Sequence, residues 1–546
     1  MIACPFPILF PRRTNIFPLA ILFIALVTLV LVFKNTLRWN KASAAPKPFL
    51  DYKVPQLPLP SNVSTEDDQI LESVRAVFNR IQPYLQAWKD RPVSSYPEAI
   101  LANQISCGPE RDQQSNPDQL RNSAKAWTEI DSKTIVSIRS EAVTGVERFF
   151  QSLLYPKTNS IYHSTLTLQG IRKRPLLGNG TEGIVITGGN KDTMRRLMVM
   201  LRFLRRKHQC RLPVEIFMFP DEIPQVSQFQ AELQALGYIE IKRLPYEKDP
   251  KAWKNFHIKG ASIVHSSFTK LLYLDSDNIP LADPSFLFKS RAFKEWGIVL
   301  WPDITKDGAK NPIWRIAGQT CIPQDWQIDS GQILVDKSAQ RGLVFGALLL
   351  AAQMQLNHDF WFQISEGDKD TFRYALYALQ LPWTRAPHWL SSAGAYNMGS
   401  YCDHTMFQYS LSPSDWADAY PSFSISALSD SQKQHAPPLF AHINLLKHNV
   451  RFGRGETFKV LHRLAPSDLV SRSNLNVSDR VRTKVSSGKG MCIHYSIQDK
   501  SITQSVRPVN QPGDPSEAWV LEETWKEAWG GLLKDFESTY WANGGL

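Results

Sequence analysis

The chain has 546 residues, 43% of them hydrophobic and 21% charged, with 16 Trp and a formal net charge of +11. This apolar and aromatic content excludes wholesale disorder, and the length has room for several domains or for one large α/β unit with appendages. No zinc-finger spacing and no nucleic-acid-binding module accompanies the positive charge, so nucleic acid is not an expected partner.

Residues 1–15 read as a short tail ahead of an apolar segment. Ile16 to Phe33 is apolar except for Thr28, with Pro18 near its start. A stretch of that length just spans the hydrocarbon of a bilayer. The expectation is an uncleaved transmembrane signal-anchor over 16–33. A cleaved leader is the alternative, but Ala42-Ser43-Ala44 lies far beyond the apolar core, with Lys34 and Arg38 between. Flanking charge does not settle orientation, because Arg12 and Arg13 precede the segment while Lys34, Arg38 and Lys41 follow it. Glycosylation sequons at Asn62, Asn179 and Asn476 favour a lumenal body. Cys4 precedes the anchor, and Cys107, Cys210, Cys321, Cys402 and Cys492 follow it. Those five allow at most two intramolecular disulfides and show no Cys-x-x-Cys metal spacing; for each, a buried thiol is the simple alternative.

Residues 34–180 read as a stem with helical segments. Asn35 to Ser61 is rich in Pro, Lys and Ala, as a linker is. Ile70, Val74, Val77, Phe78, Ile81 and Leu85 recur at helical spacing from Glu66 to about Gln86. A second helical stretch is expected from about Gln119 to Leu154, with Trp127, Ile130, Ile135 and Ile138 on one face.

An alternating pattern starts at Gly183. Gly183 to Thr187 reads as a strand, closed by Gly188-Gly189-Asn190, and a helix follows from Asp192 to Lys207. Gly188 sits where a tight turn opens a helix and can meet a nucleotide, though most such turns are only turns. Arg195, Arg196, Arg202, Arg205, Arg206, Lys207 and Arg211 crowd this region and read first as a solvated basic face. Pro213 to Phe219, Ile239 to Ile241 and Leu271 to Leu274 read as further strands, with helices between them. Strand, helix, strand in that order predicts a parallel sheet with right-handed crossovers.

The last of these strands ends in Asp275-Ser276-Asp277-Asn278. Alternate residues of an extended segment share a face, so both carboxylates can meet one point at the strand's carboxyl end, where open α/β sheets bind ligands. Two carboxylates there repel unless a cation lies between them. A hard divalent ion with positions left for phosphate oxygens fits the pair; a solvated turn is the alternative. Trp301-Pro302-Asp303 closes another apolar strand. Asp329-Ser330-Gly331-Gln332 leads into an apolar strand, with Asp329 placed for a sugar hydroxyl, for developing charge, or simply for a turn and cap. Asp368 and Asp370 open a helix and read as caps. His442, in Phe440-Ala441-His442-Ile443-Asn444, is a candidate third ligand for an ion at Asp275 and Asp277, against the commoner structural role of a lone His.

The ordered set, from Gly-Ile-Val-Ile-Thr-Gly-Gly-Asn through Leu-Pro-Val-Glu-Ile-Phe, Leu-Tyr-Leu-Asp-Ser-Asp-Asn-Ile-Pro, Trp-Pro-Asp, Asp-Ser-Gly-Gln and Gly-Asp-Lys-Asp-Thr-Phe-Arg to Phe-x-His-x-Asn, resembles the fungal Golgi mannosyltransferases that build α-1,2-linked branches on N-glycan outer chains. The likeness covers roughly Gly183 to Lys447. It implies a GT-A-like, Rossmann-type α/β fold with a mixed, mostly parallel sheet, a catalytic domain over 181–465 and a C-terminal extension over 466–546. It implies GDP-mannose as donor, Mn²⁺ as cofactor, mannose-containing glycoprotein glycans as acceptors and a type II Golgi membrane protein with a lumenal body. Carried over, Asp275 and Asp277 match the metal and diphosphate motif, and His442 completes the metal shell. Asp329 and Gln332 match the segment lining the sugar pocket, and Lys259 a basic position near the nucleotide. Sister enzymes forming α-1,3 links share this core. A UDP-sugar transferase of the same fold and a non-catalytic subunit of a Golgi glycosylation complex are the competing expectations.

Overall fold

The computed structural model describes residues 65–107, 130–155, 176–245, 247–249, 255–323, 325–365, 367–397, 400–420, 436–448, 452–465, 481–486, 491–497, 506–508 and 519–545. The apolar segment 16–33, Trp127 and the sequons at Asn62 and Asn476 lie outside them. Among the described residues no helix is long and apolar enough to cross a membrane. The described residues all fall within one compact unit.

Helical spacing builds α1 (Thr65–Lys89), α2 (Tyr96–Cys107) and α3 (Ser132–Leu154). Val74, Val77, Ile81, Leu85 and Trp88 of α1 are buried, as are Ile135, Ile138, Val146 and Phe150 of α3. Asp131 caps α3 by accepting from Thr134 N at 2.6 Å. These helices, read from sequence as a stem, pack into the same core as the sheet that follows.

The α/β segment runs β1 (Glu182–Thr187), α4 (Lys191–Arg202), β2 (Val214–Met218), α5 (Gln230–Leu236), β3 (Ile239–Arg243), α6 (Ile258–His265), β4 (Lys270–Leu274), β5 (Asn278–Pro280), β6 (Ile298–Pro302), α7 (Ile313–Ala317), β7 (Ile328–Asp336), α8 (Leu343–Leu356), α9 (Thr371–Leu379) and β8 (Thr384–Arg385). The sheet order is β3-β2-β1-β4-β7-β6-β8. β1, β2, β3 and β4 pair in parallel, while β7 runs antiparallel to both β4 and β6. The chain steps outward from β1 to β2 and β3, then returns to place β4 on β1's other side. That reversal opens a crevice at the carboxyl ends of β1 and β4.

Both faces of the sheet are covered, which is why its strands read as apolar runs. Val185, Leu271, Tyr273 and Ile333 face a core shared with α1, α3 and α8. Ile184, Ile186, Leu272 and Leu274 face the core on the opposite side. The basic cluster after β1 is only partly solvated. Arg202 pairs with Glu232 at 2.6 Å, and Arg205 donates to the carbonyls of Cys210 and Leu212, each at 2.7 Å.

A second sheet follows, from β9 (Ser391–Asn397), β10 (Ser400–Tyr409), β11 (Pro438–His442), β12 (Val460–Ala465), β13 (Val481–Ser486), β14 (Cys492–Ile497), β15 (Val506–Pro508) and β16 (Trp519–Thr524). Its order is β13-β14-β10-β9-β12-β16-β15, with β11 joining β10 to β5. The strands of the expected C-terminal extension are therefore members of this sheet. Two disulfides tie distant segments: Cys107 at the end of α2 to Cys321, and Cys402 of β10 to Cys492 of β14. Cys210 is a buried free thiol. Closing loops of this length limits the unfolded chain, an effect of about 3–5 kcal/mol per bond in the chain-entropy picture.

One buried charge group sits inside the second sheet. Asp403 accepts from Ser392 Oγ at 2.6 Å and from Tyr401 OH at 2.5 Å, and pairs with His462 Nδ1 at 3.1 Å, while His462 Nε2 meets Glu522 at 3.0 Å. Burial pushes the imidazole pKa down, but Asp403 and Glu522 outweigh it and raise it from 6.5 to about 9. A raised folded-state pKa means stabilisation that is full below the unfolded value and lost as pH rises through the folded one. The His462→Gln variant is therefore expected to melt below wild type at about pH 6, with the gap closing toward about pH 10. Melting curves across that range check this, and a gap that does not change with pH would assign His462 a packing role only.

Candidate active site

The carboxylate turn is built by backbone pairing. Asp275 N donates to Gly331 O at 2.9 Å, extending the β4–β7 ladder past Leu274. Asn278 N then donates to Asp275 O at 3.0 Å, and the Asn278 side chain donates to Gly331 O at 2.7 Å. β5 leaves this turn and pairs with β11, so that His442 lies opposite Asn278. Ile443 N donates to Asp277 O at 3.0 Å and locks that register. Residues more than 160 positions apart thus converge: ligand atoms of Asp275, Asp277 and His442 lie within 4.8 Å of one another.

Two carboxylates and an imidazole in a partly desolvated cleft suit a divalent ion of intermediate hardness. The imidazole is oriented for it. His442 Nδ1 meets Asp329 Oδ1 at 2.9 Å, which leaves Nε2 toward Asp277 Oδ1 at 3.5 Å. A carboxylate behind a ligating histidine fixes the ring and its tautomer. Gly331 makes room for this: a Cβ there would lie 2.6 Å from His442 Nδ1 and Cε1.

Each charge in the cluster is set by its neighbours. Burial opposes ionisation of Asp277, but Lys447 and His442 outweigh it and hold the carboxyl well below its usual range. Asp275 is pushed up by burial and by the like charge of Asp277, against the pull of Lys259. Asp329 is held at about 2, its burial outweighed by His442 and by hydrogen bonds from His442, Gly331 and Gln408. For His442 burial works downward, yet Asp329 and Asp277 raise it to about 10. An ion on the free imidazole nitrogen would take the place of that proton.

The cluster forms one wall of a cleft of about 780 Å³. Gly188 and Gly189 line it, and Asn190 caps α4 by accepting from Thr193 N at 3.0 Å. Lys259 lies beneath the carboxylates, with Nζ 3.1 Å from Asp275 Oδ2, 3.0 Å from Asp368 Oδ2 and 2.7 Å from Ser330 Oγ. Asp329 borders the cleft, but both its oxygens are engaged, Oδ1 by His442 and Gly331 N and Oδ2 by Gln332 and Gln408. Gln332 is fully buried and does not line the cleft; its amide spans Asp329 and Asn278.

Four further cleft residues have no role at the site in the sequence reading, although Asp303, Asp368 and Lys369 fall within motifs it singles out. Asp303 and Lys369 pair at 3.0 Å, Asp368 meets Lys259, and Lys447 meets Asp277 Oδ2 at 2.6 Å. Asp370 does not cap α9 with its side chain. It accepts from Ile328 N at 3.1 Å and Arg373 Nε at 2.9 Å instead, since a fully buried arginine left without its carboxylates would be costly. Lys447 had a faint signal, a lysine one turn past the histidine-bearing strand.

Residues 181–326 and 322–410 match the family described as "Mannosyltransferase putative". The alpha-1,2-mannosyltransferase MNN24 of Candida albicans is 26% identical over 250 residues, 37% of this chain and 33% of that protein. The alpha-1,2-mannosyltransferase MNN21 of the same organism is 31% identical over 151 residues, 25% of this chain and 22% of that protein. The match thus spans a third or less of the length of those two relatives. Among solved structures, mouse xyloside xylosyltransferase 1 aligns at 13% identity and a TM-score of 0.26, over 36% of this chain and 82% of that one. A likeness so slight has no bearing on the fold.

The cradle at Gly331 yields a direct expectation. The Gly331→Ala variant displaces the imidazole from Asp329 and weakens divalent-ion affinity by roughly 10- to 100-fold, the usual effect of losing a ligand's orienting partner. Calorimetric titration with Mn²⁺ reads it, and unchanged affinity in a folded variant would remove His442 from the ion site.

Proposed function

We propose, from the match of residues 181–326 and 322–410 to the mannosyltransferase family and the likeness to alpha-1,2-mannosyltransferases, that this chain is a metal-dependent glycosyltransferase of GT-A type. In this reading it moves mannose from GDP-mannose to an α-mannoside on glycoprotein N-glycans, forming an α-1,2 link with retention of configuration. The observation that carries the proposal is the meeting of Asp275, Asp277 and His442 at the carboxyl end of β4, inside a cleft with room for a nucleotide sugar. A bound Mn²⁺ would supply Lewis-acid stabilisation of the charge that grows on the departing diphosphate.

The chain's own residues divide the work. Asp275 and Asp277 hold the ion, and His442 completes its protein ligands. Asp329 is a positioning residue that acts through His442, since both its oxygens are already engaged. Gln332 acts one step further back, fixing Asp329 and Asn278. Gly188 gives the nucleotide close access to backbone at the end of β1, and Lys259 holds Asp275 in place. Asp303, Asp368 and Lys369 lie in the same cleft and suit recognition of sugar hydroxyls, which both donate and accept.

Asp275→Asn and Asp277→Asn are each expected to lower transfer by about 10²- to 10³-fold, the scale of losing electrostatic stabilisation at a transition state, with the fold retained. The assay is mannose transfer to a panel of α-mannosides with saturating Mn²⁺. Near-normal turnover in either variant would refute the ion site, and faster turnover with UDP-hexoses than with GDP-mannose would refute the donor.

We also propose a Golgi membrane location with a lumenal body. Two disulfides support an oxidising compartment, and the Asn179 sequon lies exposed in a turn beside β1. The apolar segment 16–33 would be the anchor. Endoglycosidase is expected to increase the gel mobility of the full-length protein; no shift, with the body open to protease in sealed vesicles, would overturn the topology.

A further inference from the structure

Each aspartate of the cluster has its own lysine, and the two lysines are held in different ways. Lys259 is 6% exposed. Its Nζ meets Asp275, Asp368, Ser330 Oγ and Ser330 O, all within 3.1 Å. These partners come from three separate segments, so the ammonium cannot leave one without forfeiting the others. Lys447 stands on the short 3₁₀ turn Leu446–His448, its side chain 31% exposed and its Nζ 2.6 Å from Asp277 Oδ2. Among the described residues Asp277 is its only acceptor. It also lines the cleft.

Asp277 is asked to serve two cations. Oδ1 faces His442 Nε2, and Oδ2 holds Lys447. A doubly charged ion drawn to Asp275, Asp277 and His442 would sit a few ångströms from that ammonium, in a cleft where water screens poorly. The repulsion is relieved if the ammonium moves. Its four-carbon stem reaches into the cleft, where a nucleotide diphosphate would present the nearest unpaired negative charge.

We propose that Lys447 is a displaceable counter-ion. It neutralises Asp277 before the divalent ion binds, then passes its ammonium to the diphosphate when the ion takes the carboxylate. This rests on the proposed function and adds a coupling to it. The ion must expel Lys447, and the nucleotide rewards that expulsion by accepting it, so ion and nucleotide strengthen one another's binding.

The test is calorimetric, on the folded protein, with Mn²⁺ and GDP as probes and Lys447→Met as the variant. Without nucleotide, Lys447→Met is expected to bind Mn²⁺ more tightly than wild type by roughly tenfold, the scale of one partly exposed charge-assisted hydrogen bond that no longer competes. With Mn²⁺ saturating, the variant's GDP affinity is expected to fall by a similar factor. A gain in ion affinity cannot arise from damaged folding. Equal or weaker Mn²⁺ binding in Lys447→Met would overturn displacement, and unchanged GDP affinity would overturn the transfer to diphosphate. Wild-type protein that bound neither probe would instead refute the proposed function itself, a result read before the variant is made.

Discussion

Carboxylates gathered around a cleft and withdrawn from water are tolerated only where internal cations meet them, and Lys259 is where that requirement is satisfied first. Burial pushes its pKa down, but Asp275 and Asp368 outweigh burial and hold the ammonium above its usual range. The same ion joins the end of β4, the start of β7 and the approach to α9. Arg373 repeats the arrangement one layer deeper, with Asp325 at 2.6 Å, Asp307 and Asp370 around a guanidinium that is fully buried. Lys369 bridges outward from Asp370 to Asp303 at the cleft. The floor of the site is thus a relay of fixed charges, each satisfied by the next, and it keeps the side chains above it from relaxing toward one another.

The second sheet supplies what the first cannot. In the first sheet β4 ends in the turn that presents the two carboxylates, and the imidazole that faces them stands on a strand of the second. β11 provides that strand by pairing with β5, and the Asp329–His442 contact then joins the two sheets through side chains as well. Both sheets therefore contribute to a single point.

How much of this the sequence discloses depends on how local each signal is. β1, β2 and β4 are legible because strands buried on both faces must be apolar, and the Asp275-Ser276-Asp277 turn is legible because repelling carboxylates at a strand end call for a cation. His442 is legible only as a ligand wanted by that ion. Asp329 is visible as a polar break ahead of an apolar strand, but its partner is 113 residues away and its task cannot be read from its neighbours. Lys447, Asp303 and Lys369 are ordinary surface residue types whose meaning comes from the cleft. Helices α1 and α3 show their apolar faces plainly, yet the same faces would serve a separate stem; only their packing into the sheet's core decides between the two. The strands after β8 are no shorter than those before it, and β9 with β10 and β13 with β14 pair between neighbours in the chain; what the sequence does not disclose is the joining of β12 to β9 and β16 and of β11 to β5, which bridges distant segments.

The β5–β11 pairing also sets a timetable. β4 and both aspartates emerge early from a growing chain, while His442 and Lys447 are made about 160 residues later. Until β11 docks, the carboxylate turn has one lysine, no imidazole and no second sheet beside it. A chain ending before β11 lacks His442 and therefore the full ligand set, whatever part of the first sheet it has formed.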